Sequence, residues 1–241
     1  MPPRLASRLK ANGEEFLSFL DDWFQDLPIV SFRSLLKRFS AAQTAVISVD
    51  VVNGFCRAGN LYSPRIEAIV PAVTELFQGA RKNGVEHYVL IQDTHPKESK
   101  EFGIYPPHCV ENTIESQTVK ELQELPDSNQ FVVVPKKTIH PGVDARFQGW
   151  LEEHSGIRQF LLVGDCTDIC IYQTAVFLKS WYIEKNEECH IVVPANCVDT
   201  FDIPIDRSNR SDTLPHPGEF LHVLFLYHLR TNGAFVVRQV K

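Results

Sequence analysis

No stretch of this chain is apolar for long enough to cross a membrane. Nor do its first residues read as a secretory signal, because Glu14, Glu15, Asp21 and Asp22 interrupt the apolar positions. Positive charge is in deficit: 24 Lys and Arg stand against 30 Asp and Glu, a formal net charge of −6. That balance argues against the basic face of a nucleic-acid binder. A CxxC redox pair is missing too. Cys166 and Cys170 are spaced CxxxC, and a lone pair at that spacing says little about zinc. Six cysteines could pair, but a chain of 241 residues does not need disulfide staples. A reducing, cytoplasmic compartment is therefore expected. Internal repeats and low-complexity tracts are absent. What remains is a chain that is 44% hydrophobic, enough for one large α/β domain.

Short apolar runs alternate with amphipathic segments. Strands are expected at Thr44–Asp50, His87–Asp93, Phe131–Pro135, Phe160–Gly164, His190–Pro194 and Ala234–Arg238. Helices are expected near Ile66–Lys82, Ser116–Glu124, Asp144–His154, Asp168–Ser180 and Pro217–His228. Six apolar strands separated by helices predict a three-layer α/β/α fold with a six-stranded, mostly parallel, Rossmann-like sheet. Residues 1–43 form an N-terminal helical extension ahead of a domain spanning 44–241. In that extension Phe16, Leu20, Trp23, Phe24 and Leu27 share one helical face, which predicts a helix packed on the domain, with a lid or subunit contact as the sharper alternative. The polar stretch Asp206–Gly218, with Pro215 and Pro217, reads as a surface loop.

In parallel α/β sheets, ligands bind beyond the carboxyl ends of the strands. The first strand ends in Asp50, the second in Asp93-Thr94-His95, the third in Lys136-Lys137, and the fourth leads through Gly164-Asp165-Cys166-Thr167-Asp168-Ile169 to Cys170. A carboxylate, a metal-competent pair, an amine and a thiol thus emerge at one edge. Cys170 falls in or near the first turn of a helix, where free N–H groups and the dipole favour a thiolate and an oxyanion. Asp50 could cap its turn or act as a general base. Asp93 and His95 point the same way on an extended chain and could hold a divalent ion. His108, in a loop stiffened by Pro106 and Pro107, is a candidate third ligand or a packing residue. Either lysine could support developing negative charge or be solvated. Phe55 and Tyr105 could wall an aromatic pocket or belong to the core. His140, His154, His216 and His222 have no evident partner and read as structural or surface residues.

These residues form four ordered motifs. Asp50-Val51-Val52-Asn53-Gly54-Phe55, Gln92-Asp93-Thr94-His95-Pro96, Tyr105-Pro106-Pro107-His108-Cys109-Val110 and Gly164–Cys170 resemble the DxQNDF, QDWHP, WPxHCV and GVATDYC motifs of nicotinamidases, within the isochorismatase-like cysteine hydrolases. The similarity covers most of residues 44–200. It implies an isochorismatase-like fold and a catalytic triad of Asp50, Lys137 and Cys170, with Lys137 preferred to Lys136. It also implies metal ligands Asp93, His95 and His108, substrate contacts from Phe55 and Tyr105, and an oxyanion site at the backbone N–H groups of Cys166 and Cys170. A cis peptide is implied between Asp165 and Cys166. Departures are Thr94 for tryptophan, Thr138–Gly142 for an aspartate-serine-tyrosine run, and Asp165-Cys166 for a small apolar pair; Asp165 is expected to face away from the thiol.

The implied activity is a metal-assisted cysteine amidohydrolase on linear C–N amide bonds, converting nicotinamide to nicotinate and ammonia through a thioester, with a place in NAD salvage. The implied cofactor is one divalent ion, zinc ahead of manganese, iron or magnesium. The expected partner is a small amide, with neither nucleic acid nor membrane and with a homo-oligomer allowed. The alternatives are a related cysteine hydrolase acting on another carboxamide or ureido substrate, a non-catalytic pocket protein, and a hydrolase using metal-bound hydroxide.

Overall fold

The computed structural model describes residues 9–205 and 214–241, with side chains from residue 13 onward. The chain runs α1 (Leu9–Gln25), β1 (Ile29–Val30), α2 (Phe32–Arg38), β2 (Thr44–Val49), α3 (Asn53–Cys56), α4 (Pro64–Lys82) and β3 (His87–Asp93). It continues with α5 (Lys120–Gln123), β4 (Val132–Lys136), α6 (Ala145–Glu153), β5 (Gln159–Asp165), α7 (Tyr172–Glu184), β6 (His190–Pro194), β7 (Val198–Asp199), α8 (Gly218–Thr231), β8 (Phe235–Val237) and β9 (Gln239–Val240). Of the expected Asp206–Gly218 loop, residues 206–213 lie outside the described residues.

The strands form a parallel sheet in the order β4-β3-β2-β5-β6-β8. The sheet has seven strands rather than the expected six, because the two-residue β7 pairs with the end of β5, Asp165 opposite Asp199. Two residues carry too little periodicity to read as a strand, which is why the seventh was missed. The expected Ser116–Glu124 helix shrinks to the single turn of α5.

Each central strand is buried on both faces, so its residues read as a continuous apolar run. Alternation then sorts them into two cores. Val46, Leu90, Leu161 and Val163 pack with Ile66, Val70, Val73 and Phe77 of α4. Ala45, Ile47, Val49, Phe160 and Leu162 face the other way, against Phe147 and Leu151 of α6, Leu178 of α7 and Leu226 of α8. Pro64 opens α4, where a missing N–H costs nothing, and Arg81 and Lys82 close it against the dipole.

The chain first winds outward through β2, β3 and β4, then returns to place β5, β6 and β8 on the other side of β2. The switch point therefore lies between β2 and β5, where a ligand crevice forms in this architecture. The two strands approach closely there. Gly164 sits at φ 114°, and a Cβ on it would lie 1.9 Å from the Val49 carbonyl oxygen, so only glycine fits.

The N-terminal segment packs on the C-terminal one. Trp23 meets the Tyr227 ring edge-on at 5.3 Å, and Leu20 is buried. Strands β1 and β9 form a separate parallel ladder. The Phe32 N–H donates to the Lys241 carbonyl (2.7 Å), and the Arg238 N–H to the Pro28 carbonyl (2.8 Å).

Candidate active site

The site grows from the carboxyl ends of β2, β3, β4 and β5. Asp50 follows β2 with φ 56°, a left-handed conformation that aspartate tolerates better than most residues. Its backbone N–H is held by the Ile91 carbonyl, and its Oδ1 accepts from the Asp93 N–H at 2.7 Å. The carboxylate is thereby aimed across the sheet rather than used to cap its own turn.

Lys136 ends β4 directly opposite Asp93 in the strand register. Its Nζ lies 2.8 Å from Asp50 Oδ2, in contact with Asp93 Oδ1, and 3.6 Å from Cys170 Sγ. The side chain is 1% exposed. Lys137, which the sequence reading preferred, is exposed to solvent and is not brought to the thiol. The physical reason is strand parity. Side chains alternate along β4, Val134 is buried, and the residue two further on is Lys136. That signal was present in the sequence and outweighs the family resemblance that favoured its neighbour.

Cys170 lies in a π-helical turn, Thr167–Ile171, ahead of α7. The Cys166 carbonyl accepts from the N–H groups of Ile169 and Ile171, which tightens the turn, and the Asp165–Cys166 peptide is cis. The thiol is 7% exposed. Burial pushes its pKa up, Lys136 opposes this, and the carboxylates of Asp50 and Asp93 push it further up. Burial thus works against the thiolate that its place near a helix start favours. A base is needed, and Asp50 is suited to that. Burial and then the Asp93 charge raise its pKa to about 6, against the pull of Lys136. Lys136 itself is held well above its ordinary value. Burial works against the charge, but the carboxylates of Asp50 and Asp93 outweigh it.

Asp165 is not turned out to solvent. It is 1% exposed, with Oδ1 receiving the Cys166 thiol at 3.8 Å. Burial first, then the Asp50 charge, push its carboxyl well above the usual range. Its contact is with the neighbouring Cys166 thiol rather than with solvent.

Beside the lysine lies a cluster of metal-competent groups. Asp93, His95, Glu101 and His108 each place a ligand atom within 4.8 Å of the others. His108 Nδ1 faces the Pro106 carbonyl (2.8 Å), which fixes its proton there and leaves Nε2 free to face Asp93 Oδ2 at 3.4 Å. His95 Nε2 is buried, makes no hydrogen bond, and points at Asp93 Oδ1 from 3.4 Å. An orphaned imidazole nitrogen among carboxylates fits a divalent cation. Burial opposes ionisation of Asp93, but Lys136 and the two histidines hold its carboxyl below the usual range. Glu101 was missed. It lies in the charged run Lys97–Glu101, where nothing in the sequence separates it from Glu98.

Phe55 is buried, its ring 5.6 Å from that of His108. Tyr105 is half-buried, its ring edge-on to His108 at 6.3 Å. A cleft of about 210 Å³ along Lys136, Lys137, Thr138 and His140 runs beside the constellation and shares only Lys136 with it.

Comparison with known proteins agrees with this geometry. The Isochorismatase domain family matches residues 44–206. The chain belongs to that family. Among curated relatives, it is 29% identical over 215 residues to Nicotinamidase 1 of Arabidopsis thaliana, covering 83% of this chain and 87% of that one. Two solved isochorismatase-fold neighbours are each 20% identical. The pyrazinamidase/nicotinamidase of Streptococcus mutans aligns with a TM-score of 0.64 over 80% of this chain and 99% of its own. The pyrazinamidase of Pyrococcus horikoshii, solved in complex with zinc, aligns with a TM-score of 0.61 over 81% and 99%. At that identity the structural likeness establishes the isochorismatase-like α/β fold. No described helix is long and apolar enough to cross a membrane.

Proposed function

We propose that this chain is a cysteine amidohydrolase that converts nicotinamide to nicotinate and ammonia. One observation carries the reading. A single buried ammonium, Lys136, touches Asp50 and Asp93 and lies 3.6 Å from the Cys170 sulfur, beside a four-residue cation cluster. The curated relative named for nicotinamidase supports the choice of substrate.

Asp50 takes the Cys170 proton and becomes neutral, and the Lys136 ammonium stabilises the thiolate that results. The thiolate attacks the amide carbon, and the N–H groups of Cys166 and Cys170 receive the oxyanion. Asp50 then returns the proton to the departing nitrogen, ammonia leaves, and a thioester to Cys170 remains. Water deprotonated by Asp50 attacks the thioester, nicotinate departs, and the thiol is restored. Asp93, His95 and His108, with Glu101 beside them, would hold one divalent ion, zinc by the chemistry of two imidazoles and carboxylates. Bound there, the ion supplies a Lewis acid for the pyridine nitrogen. Phe55 and Tyr105 pack around His108 and wall the ring pocket.

All six cysteines are buried free thiols, which fits a reducing cytoplasm. Residues 1–43 are assigned as a packing extension, with a homo-oligomer compatible with their exposed aromatic rings. The test is ammonia release from a panel of amides, with and without chelator, on wild-type and Cys170→Ala protein. Nicotinamide turnover that needs both the thiol and the metal is expected. Turnover that survives loss of Cys170 overturns the mechanism, and preference for another amide overturns the substrate.

A further inference from the structure

The turn that presents Cys170 is gripped by two histidines that the sequence reading left without partners. Thr167 and Asp168 open that turn. Thr167 Oγ1 meets His222 Nδ1 at 2.9 Å, and Asp168 Oδ2 meets His216 Nε2 at 2.8 Å. The His216 ring is fixed on three sides. Its Nδ1 lies 2.9 Å from the Phe201 carbonyl, its face stacks on the Phe201 ring at 3.8 Å and 16°, and its backbone exchanges two 2.8 Å hydrogen bonds with Ile203.

Both neighbours of the His216 ring nitrogens, a carbonyl and a carboxylate, are acceptors. The other charged groups packed in this corner are engaged elsewhere. Arg65 bridges Asp199 (2.7 Å) and Glu219 (3.2 Å), and Asp202 accepts from the Gly218 N–H (2.7 Å). His222 is kept neutral, because burial lowers its pKa before Asp199 can raise it. Among the described residues, His216 is the one basic group in ion-pair contact with Asp168. The second carboxylate oxygen of Asp168 is buried without a hydrogen bond, so losing the histidine would leave a mostly buried carboxylate with no partner.

We propose that His216 is a positioning residue for Cys170: its two ring nitrogens bridge Asp168, at the base of the cysteine turn, and the main-chain carbonyl of Phe201, and so fix where the sulfur points. The residue does not touch the reacting atoms. It acts through the three-residue path Asp168, Ile169, Cys170. The effect on turnover rests on the amidohydrolase reading above; the effect on the sulfur does not.

The test compares wild type with His216→Phe, which keeps the stack on Phe201 and removes both ring hydrogen bonds, and with Asp168→Asn and the double variant. The first readout is the rate of iodoacetamide alkylation at Cys170, located by mass spectrometry. The second is kcat and KM on nicotinamide from pH 6 to 9. We expect His216→Phe to lower both the alkylation rate and kcat about tenfold, with KM within twofold, since small misplacements of a reacting group carry such penalties. The double variant should be no worse than the worse single, because both residues serve one contact. If His216→Phe fails to fold, His216→Gln, which keeps one donor, replaces it. A change of threefold or more in alkylation supports the proposal. A smaller change, with melting temperature lowered or not, overturns it and leaves His216 a loop anchor. Wild type that alkylates normally but ignores nicotinamide would sink the substrate assignment and leave the alkylation comparison valid.

Discussion

The rim of the sheet and the N-terminal segment solve opposite problems. At the rim, Asp50, Asp93 and Lys136 are 1–3% exposed, so charge is taken out of water at the centre of the fold. In α1, the aromatic rings of Phe16 and Phe19 stay 41–46% exposed while they lean on Tyr227. A buried ion cluster is weak evidence for stability, since desolvation offsets most of the attraction. An apolar helix lying on another is the ordinary way to gain it. The molecule thus concentrates its strained electrostatics where the chemistry is and places plain hydrophobic packing at its periphery. Phe24 of α1 meets the His222 ring edge-on at 6.0 Å, and His222 in turn meets Thr167 of the cysteine turn at 2.9 Å.

The comparison breaks most visibly at the nucleophile. Cys170→Ala should lower kcat by about 10⁴- to 10⁶-fold, as loss of a covalent nucleophile does. Its circular dichroism and melting temperature should stay at the wild-type values, and normal ammonia release would remove the rim from catalysis.

Next comes the lysine pair. Lys136→Ala leaves two buried carboxylates facing each other. It should cost about 3–5 kcal/mol in denaturant unfolding and about 10²- to 10³-fold in activity. Lys137→Ala, one residue away but solvated, should stay within about 0.5 kcal/mol of wild type and lose less than about twofold in kcat. Equal effects at the two positions would overturn the assignment of Lys136.

The rim should also show itself in pH. Asp50 must be ionised to take the thiol proton, so kcat/KM should fall about tenfold per unit as pH drops below about 6. Its contribution to stability runs the other way. A folded pKa of about 6 against an unfolded 3.8 favours the fold at low pH, and that contribution is lost as pH rises from about 4 through 6. A rate profile flat from pH 5 to 8 would show that Asp50 is not the base.

The smallest effect on turnover is expected in the extension. Leu20→Ala empties a site that is 2% exposed and should cost about 2–4 kcal/mol in stability. Its kcat should stay within about twofold. A large loss of kcat would mean that the contact between Phe24 and His222 carries more than packing.

The primary sequence by itself determined much of this protein. Continuous apolar runs flanked by amphipathic segments announced buried parallel strands, and Asp50, Asp93 and Cys170 were legible because polar residues at the ends of such runs stand out from them. The cation cluster was three-quarters legible, since Asp93, His95 and His108 sit in recognisable motifs. Tertiary structure decided the rest. Strand parity and the pairing of β4 with β3 buried Lys136 opposite Asp93 and left Lys137 in water. Chain reversal brought Glu101 out of a charged loop to Asp93, His95 and His108, and carried His216 and His222 from beyond β7 to the cysteine turn. Local pattern records which side chains share a face, because that periodicity is intrinsic to the backbone. Which faces meet depends on packing between segments distant in the chain, and so does the burial that pushes up the pKa values of Asp165 and Cys170.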